Sequence, residues 1–193
     1  MNIFLERYKE LLGDDFKGLQ AAKDFHSLRI NTLKISEKEL IERLEKEKVK
    51  LKKVEFLDYG YSYQSPFSLG ATPEYLMGYY YLQEAASQIP VQILNPKEDE
   101  TVLDMAAAPG SKTTQIAQYM ENKGTLIAVD SNISRITALR NNIERSGITN
   151  SIIYQKDARC IKGFGIEFEN VVLDACCSGN FITDSVWFGK ITI

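Results

Sequence analysis

The spacing of apolar residues changes character near residue 90. Ahead of it the patterns are short and mixed. Ile3, Phe4, Tyr8, Leu11 and Leu12 fall on one side of a helix predicted over residues 2–12 and stopped by Gly13. Leu28 to Leu33 predicts a strand. Ser36 and Glu39 form an S-x-x-E pair ahead of Leu40, Ile41 and Leu44, the pattern of a capped amphipathic helix. Alternation from Val49 to Val54 predicts a half-exposed, lysine-rich strand. Eight aromatics follow between Tyr59 and Tyr81, with Pro66 and Pro73 breaking the run. A helical stretch is predicted from Pro73 through Tyr81 to Ile89, with Pro90 at its end.

From Thr101 onward, apolar runs and amphipathic stretches take turns. Strands are predicted at 101–104, 125–130, 151–154 and 170–174. The helix after the first carries Ile116, Ala117 and Met120 on one side; the helix after the second carries Ile133, Ile136, Leu139 and Ile143 and stops at Gly147. Such strands, separated by such helices, predict a parallel sheet covered on both faces. The chain thus divides into a small α+β region, 1–90, and a doubly wound α/β domain, 91–193. A fourth strand through Val171-Val172-Leu173 leaves an apolar edge open to pairing or self-association.

Composition narrows the class. The 193 residues are 44% hydrophobic and 25% charged, as in a folded globular chain. No run approaches the ~20 apolar residues of a membrane span, and Glu6 and Arg7 come too early for a secretory leader, which predicts a cytoplasmic protein without membrane contact. The three cysteines, Cys160, Cys176 and Cys177, do not suit a disulfide framework, and a single histidine, His26, removes the common zinc patterns and histidine-based triads. Charge is uneven but modest: 13 Lys+Arg against 12 Asp+Glu in residues 1–70, and 10 against 14 beyond. That balance alone does not identify a nucleic-acid binder. The aromatics of 59–81 either pack the two regions together or stack on unpaired bases.

In open α/β sheets, ligands sit beyond the carboxyl ends of the strands. After the first strand comes Ala106-Ala107-Ala108-Pro109-Gly110-Ser111-Lys112, whose small side chains admit a ligand to the backbone and whose helix start suits an anionic group. One glycine is too few for a dinucleotide fingerprint, and Ala106 and Ser111 occupy the glycine positions of a P-loop. Asp130, closing the second strand, is placed to hold two ribose hydroxyls or to cap the next helix. Asp157, past the third strand, is a candidate acceptor for an adenine amino group or a turn residue. Together these describe S-adenosylmethionine better than a dinucleotide.

Residues 102–114, Asp130 with the Arg-x-x-x-Leu-x-x-Asn helix at 135–142, Asp157 and Leu-Asp-Ala-Cys-Cys-Ser-Gly at 173–179 resemble the Nol/Nop/Sun family of RNA cytosine-C5 methyltransferases. Leu28 to Leu33 and Gln83-Glu84-Ala85-Ala86-Ser87 are similar to that family too. The resemblance implies a class I, Rossmann-like methyltransferase sheet and an S-adenosylmethionine site made by Ala106 to Lys112, Asp130, Asp157 and Asp174. It also implies RNA as substrate, tRNA ahead of rRNA. Asp174 would hold the cytosine ring at its N3/N4 edge, and Cys177 matches the family cysteine assigned to product release. The attacking cysteine of the family lies in a later Thr-Cys-Ser motif that these 193 residues do not contain, so the sheet is expected to be incomplete and the chain a truncated form that binds the donor without turnover. The readings set against this one are a non-catalytic RNA- or protein-binding module, an NAD-type oxidoreductase, Cys176 and Cys177 as small buried hydrophobes, and Cys177 as a substitute nucleophile.

Overall fold

The computed structural model describes residues 3–17, 26–163 and 165–175. Residues Phe25–Ala175 form one compact unit, and Met1–Asp24 with Cys176–Ile193 form another. Of the second, the described helix is α1 (Ile3–Leu12), where the apolar spacing predicts it. Cys176 and Cys177 lie outside the described residues.

The larger unit opens with an antiparallel sheet. Its elements are β1 (Ser27–Ile30), α2 (Glu37–Lys46), β2 (Lys50–Lys53), β3 (Gly60–Gln64), α3 (Pro73–Leu76) and β4 (Tyr80–Leu82), with strand order β2-β3-β1-β4. Leu28 of β1 sits opposite both Tyr61 and Leu82, so these three side chains share one face. Helix α2 covers that face with Leu40 and Leu44, both fully buried against Leu28, Ile30 and Tyr80. Its start is half a capping box: Ser36 Oγ accepts from the Glu39 N–H at 3.2 Å, while the Glu39 carboxylate turns to Arg43 at 3.0 Å. β2 presents the predicted lysines at an outer edge, where charge discourages further pairing.

The helix predicted from Pro73 to Ile89 is instead three elements. α3 stops after one turn, Gly78 takes φ +73, and Tyr80–Leu82 pairs with β1 as β4. Consecutive aromatics favour a pleated surface over a helix interior, and the Tyr80 hydroxyl donates to the Leu69 carbonyl at 2.7 Å inside the core. The next helix, α4 (Ala85–Leu94), runs through Pro90 and ends at Asn95 in the left-handed region. Pro90 is exposed, so it costs this helix one hydrogen bond without a steric conflict in the core. The sequence pattern does not predict β3, and the predicted strand 28–33 ends at Ile30 because Asn31 turns the chain.

The second sheet follows the predicted order: β5 (Thr101–Asp104), α5 (Ser111–Tyr119), β6 (Thr125–Asp130), α6 (Ile133–Ser146), β7 (Ser151–Gln155) and β8 (Asn170–Val172). All pairings are parallel, in the order β7-β6-β5-β8. Val102, Leu126 and Ala128 are sealed by Ile116, Met120 and Leu139 from the helices. Full burial of a Leu or Ile side chain contributes about 1.5–3 kcal/mol relative to exposure. Ile133 is 64% exposed, so the buried stripe of α6 starts one turn later than its periodicity predicts. β8 lies at the edge, and Val171 and the following Leu173 are exposed there, as the strand pattern predicts. The architecture is α/β: among the described residues, a four-stranded, parallel, Rossmann-like sheet preceded by a small α+β region.

Candidate functional site

The ends of β5 and β6, neighbours in the middle of the sheet, carry two buried carboxylates that shape the alanine-rich loop. Asp104 accepts from the Thr113 hydroxyl at 2.7 Å and from the Ala106 N–H at 3.3 Å, tying the start of the loop to the first turns of α5. Burial pushes its carboxyl up to about 6, opposed by the bonds from Thr113 and Ala106. Asp130 accepts from the Ala108 N–H at 3.2 Å and the Asn132 N–H at 2.9 Å, which fixes the middle of the same loop. The helix cap expected as one reading of Asp130 is made by Asn132 instead, whose side-chain Oδ1 accepts from the Ser134 N–H at 3.0 Å. Arg135 lies over this corner, 3.7 Å from Asp130 and donating to the Ala108 carbonyl.

Within the loop, Ala107, Ala108 and Gly110 are buried, Ala106 and Ser111 are half-buried and Pro109 is exposed. Gly110 has φ +109, and a Cβ there would lie 3.0 Å from Leu139 on α6. Glycine therefore serves both the backbone angle and the close helix contact. Because Gly110 is the residue before α5 and offers no side-chain cap, the helix begins with its N–H dipoles uncovered by any side chain of its own.

The outer strands contribute exposed acids. Asp174, two residues past β8, forms an ion pair with Lys112; the lysine side chain is 8% exposed and the carboxylate 61%. Lys112 also donates to Ser87 Oγ at 3.1 Å. Asp157, past β7, is gripped by Arg159 through bonds of 2.6–3.1 Å, and these hold its carboxyl at about 2. The structure therefore gathers Ala106 to Lys112, Asp130 and Asp174 around one loop. Asp157 stands on the adjoining strand end, since the Lys156 N–H donates to the Asp130 carbonyl, but its carboxylate faces Arg159. Among the described residues, Cys160 is a free, exposed thiol and no cluster of His, Cys, Asp and Glu suits a metal ion.

A polar seam joins the first sheet to the second. Arg29 is 2% exposed and donates to Gln118 Oε1 at 3.0 Å, Gln83 Oε1 at 2.5 Å, the Ser111 carbonyl at 2.9 Å and Thr114 Oγ1 at 2.8 Å. Burial lowers its pKa to about 9, which leaves it protonated at neutral pH. Gln83 passes on to Ser87 and Gln115, and Asn31 Nδ2 bridges the carbonyls of Gly78 and Ser146 at 2.8 Å each. Tyr61, Tyr80 and Tyr81 are buried in packing, while Phe67 is exposed. The sequence pattern marks neither Asp104 nor Thr113 as part of the site, and it gives Arg29, Gln83 and Ser87 no role. A lone arginine between apolar residues in a short strand is the signal that points to the seam.

A family model described as 16S rRNA methyltransferase RsmB/F matches residues 91–186, and one described as the N-terminal domain of 16S rRNA methyltransferase RsmF matches residues 2–85. The ribosomal RNA small subunit methyltransferase F of Vibrio campbellii is 45% identical over 159 residues, covering 79% of this chain and 33% of the relative. A 28S rRNA (cytosine-C(5))-methyltransferase of Mus musculus is 43% identical over 155 residues, 79% of this chain and 20% of the relative. The chain thus spans a third or less of the length of these curated relatives. Among solved structures, NSun6 from Pyrococcus horikoshii with SFG superposes with a TM-score of 0.84 at 25% identity, over 98% of this chain and 73% of that one.

Proposed function

The chain belongs to the Nol/Nop/Sun family of RNA cytosine-C5 methyltransferases, and we propose that its alanine-rich loop binds S-adenosylmethionine while Lys112 and Asp174 form the floor of the cytosine site. The observation that carries this reading is that one loop is fixed at Ala108 by Asp130 and bounded at Lys112 by the pair with Asp174.

The residues present fit the donor. Small side chains expose the loop backbone, and the uncapped start of α5 suits a carboxylate. Each Asp130 oxygen takes one backbone N–H and retains acceptor capacity for the hydroxyls of a ribose. For them to reach it, Arg135 shifts from its position 3.7 Å away. Asp157 adds only a weak acceptor for the adenine amino group, because Arg159 already occupies its carboxylate. The acids also favour a sulfonium cation over a triphosphate.

When bound, the donor supplies an electrophilic methyl group. Asp174, exposed, holds the N3/N4 edge of cytosine, and the buried Lys112 ammonium aims that carboxylate. In the family chemistry a thiolate adds to carbon 6, carbon 5 then takes the methyl, a base removes the carbon 5 proton and the thiol leaves. Cys177 fills the release role by its place in the motif. Since these 193 residues hold no Thr-Cys-Ser motif, donor binding without turnover is expected of them alone.

Ribosomal RNA is the substrate class to test ahead of tRNA, because the curated relatives are named for it. The division near residue 90, with RNA contacts before it and the donor after, is supported by two family models meeting there. A cytoplasmic site of action belongs to the same proposal. Among the described residues, no helix is long and apolar enough to cross a membrane. The test is calorimetric titration of the 193-residue chain with S-adenosylmethionine. Saturable binding that Asp130→Ala removes is expected. Absence of binding, or binding indifferent to that substitution, overturns the donor site, and turnover on RNA overturns the expected inactivity.

A further inference from the structure

Arg29 poses a question that the proposed site leaves unanswered. It is among the largest fully buried side chains, yet each oxygen its fork is bonded to is neutral: two amides, a carbonyl and a hydroxyl. Burying a cation among neutral acceptors costs stability that a well-packed apolar side chain would not, so stability alone does not account for it. What the guanidinium does have is two routes to one lysine.

The direct route enters α5. Arg29 bonds the Ser111 carbonyl at 2.9 Å and the Thr114 hydroxyl at 2.8 Å, the residues on either side of Lys112 and Thr113 in the first turn. The second route is a relay. By occupying Gln83 Oε1, Arg29 fixes which way that amide points, so its Nε2 is directed at the Ser87 carbonyl at 3.1 Å and the Ser87 hydroxyl at 3.5 Å. Ser87 Oγ in turn receives the Lys112 ammonium at 3.1 Å, opposite its bond to Asp174. Backbone and ammonium of Lys112 are thus held from the same fork, across the seam between the two sheets.

We infer that Arg29 is a positioning residue for Lys112: it sets where the ammonium stands against Asp174 by gripping the first turn of α5 and by orienting Gln83 and Ser87. The inference takes its meaning from the proposed cytosine site, but its test does not depend on that site. A rigid, planar donor with five N–H groups can serve four acceptors in one plane, which an ammonium cannot, so the conservative lysine substitution breaks the arrangement while keeping the charge.

The readout is NMR of the Lys112 side chain in the free 193-residue protein, labelled at lysine Cε and Nζ and assigned with Lys112→Arg. In the wild type, a distinct Lys112 signal with slowed ammonium exchange is expected. Arg29→Lys and Ser87→Ala should each move that signal and speed the exchange by about fivefold or more. Thr114→Val, which removes one Arg29 bond at nearly constant volume, gives the same comparison if Arg29→Lys does not fold. Lys34→Met serves as the control: it cuts ties from Lys34 Nζ to the Met77 and Arg145 carbonyls in the same seam, and should leave Lys112 where it is. An unchanged Lys112 signal in folded Arg29→Lys or Thr114→Val overturns the inference, as does an equal change in Lys34→Met. Parallel calorimetry with S-adenosylmethionine separates the two readings, because a wild type that fails to bind donor defeats the proposed function while the Lys112 signal still reports on Arg29.

Discussion

The inner and outer strand ends of the parallel sheet use the same residue type for different work. Asp104 and Asp130, on the two central strands, are 1% and 5% exposed and are bonded to the N–H groups of the loop beside them. Asp157 and Asp174, on the flanks, are open to solvent and meet a cation instead. The inner acids shape the cradle and the outer ones are free to change partners. Of the four, Asp130 combines both roles: it holds the Ala108 N–H and lies 3.7 Å from the Arg135 guanidinium.

That contrast can be broken by substitution. The largest effect is expected at Asp104. Its carboxyl titrates near 6 in the folded protein against an ordinary value of 3.8, so the folded state holds the extra proton between those values, and stability falls as pH rises from about 4 to about 6 and is level above. Asp104→Asn removes this penalty, with the Thr113 hydroxyl turning to the Ala107 carbonyl at 3.3 Å. The stability of the variant relative to wild type should therefore rise by about 3 kcal/mol between pH 3 and pH 8 in denaturant titrations. A pH-independent difference would show that burial of the carboxylate carries no such penalty.

Next comes Asp130→Ala, expected to weaken S-adenosylmethionine about 100-fold in calorimetry, as loss of bonds to a charged group implies. A double-mutant cycle on Lys112→Met and Asp174→Asn, read by thermal unfolding, should give a coupling below about 1 kcal/mol, because the carboxylate is largely solvated. A larger value would move Asp174 into the class of inner acids. The smallest effect belongs to Asp157→Asn, with donor affinity changing by less than about threefold, because Arg159 already occupies the carboxylate. A greater loss would show that the arginine releases it to the ligand.

The parallel half of the fold was legible in the residues because its strands are short apolar runs and its helices keep a clean stripe, as at Ile136, Leu139 and Ile143. The antiparallel half was less so. Tyr79-Tyr80-Tyr81 follows a genuine helix start at Pro73, and only pairing with β1 makes it a strand. Pro90 reads as a helix stop, yet its exposed position lets α4 continue. The loop and its acids stood out by their place after strands. Asp104 did not, because a buried acid that builds a loop has the same neighbours in sequence as one that meets a ligand. The partners of Asp157 and Asp130 are likewise products of side-chain direction, which spacing along the chain does not encode.

Gly78 carries a consequence for engineering. A methyl group there would enter the carbonyl oxygen of Arg145 at the end of α6, so the loop ahead of β4 and this helix meet backbone to backbone. Grafting the amino-terminal sheet of a relative onto this parallel sheet would preserve the seam between them only if the graft brings a glycine at that junction, since any bulkier graft residue would wedge the halves apart and slacken every tie across them.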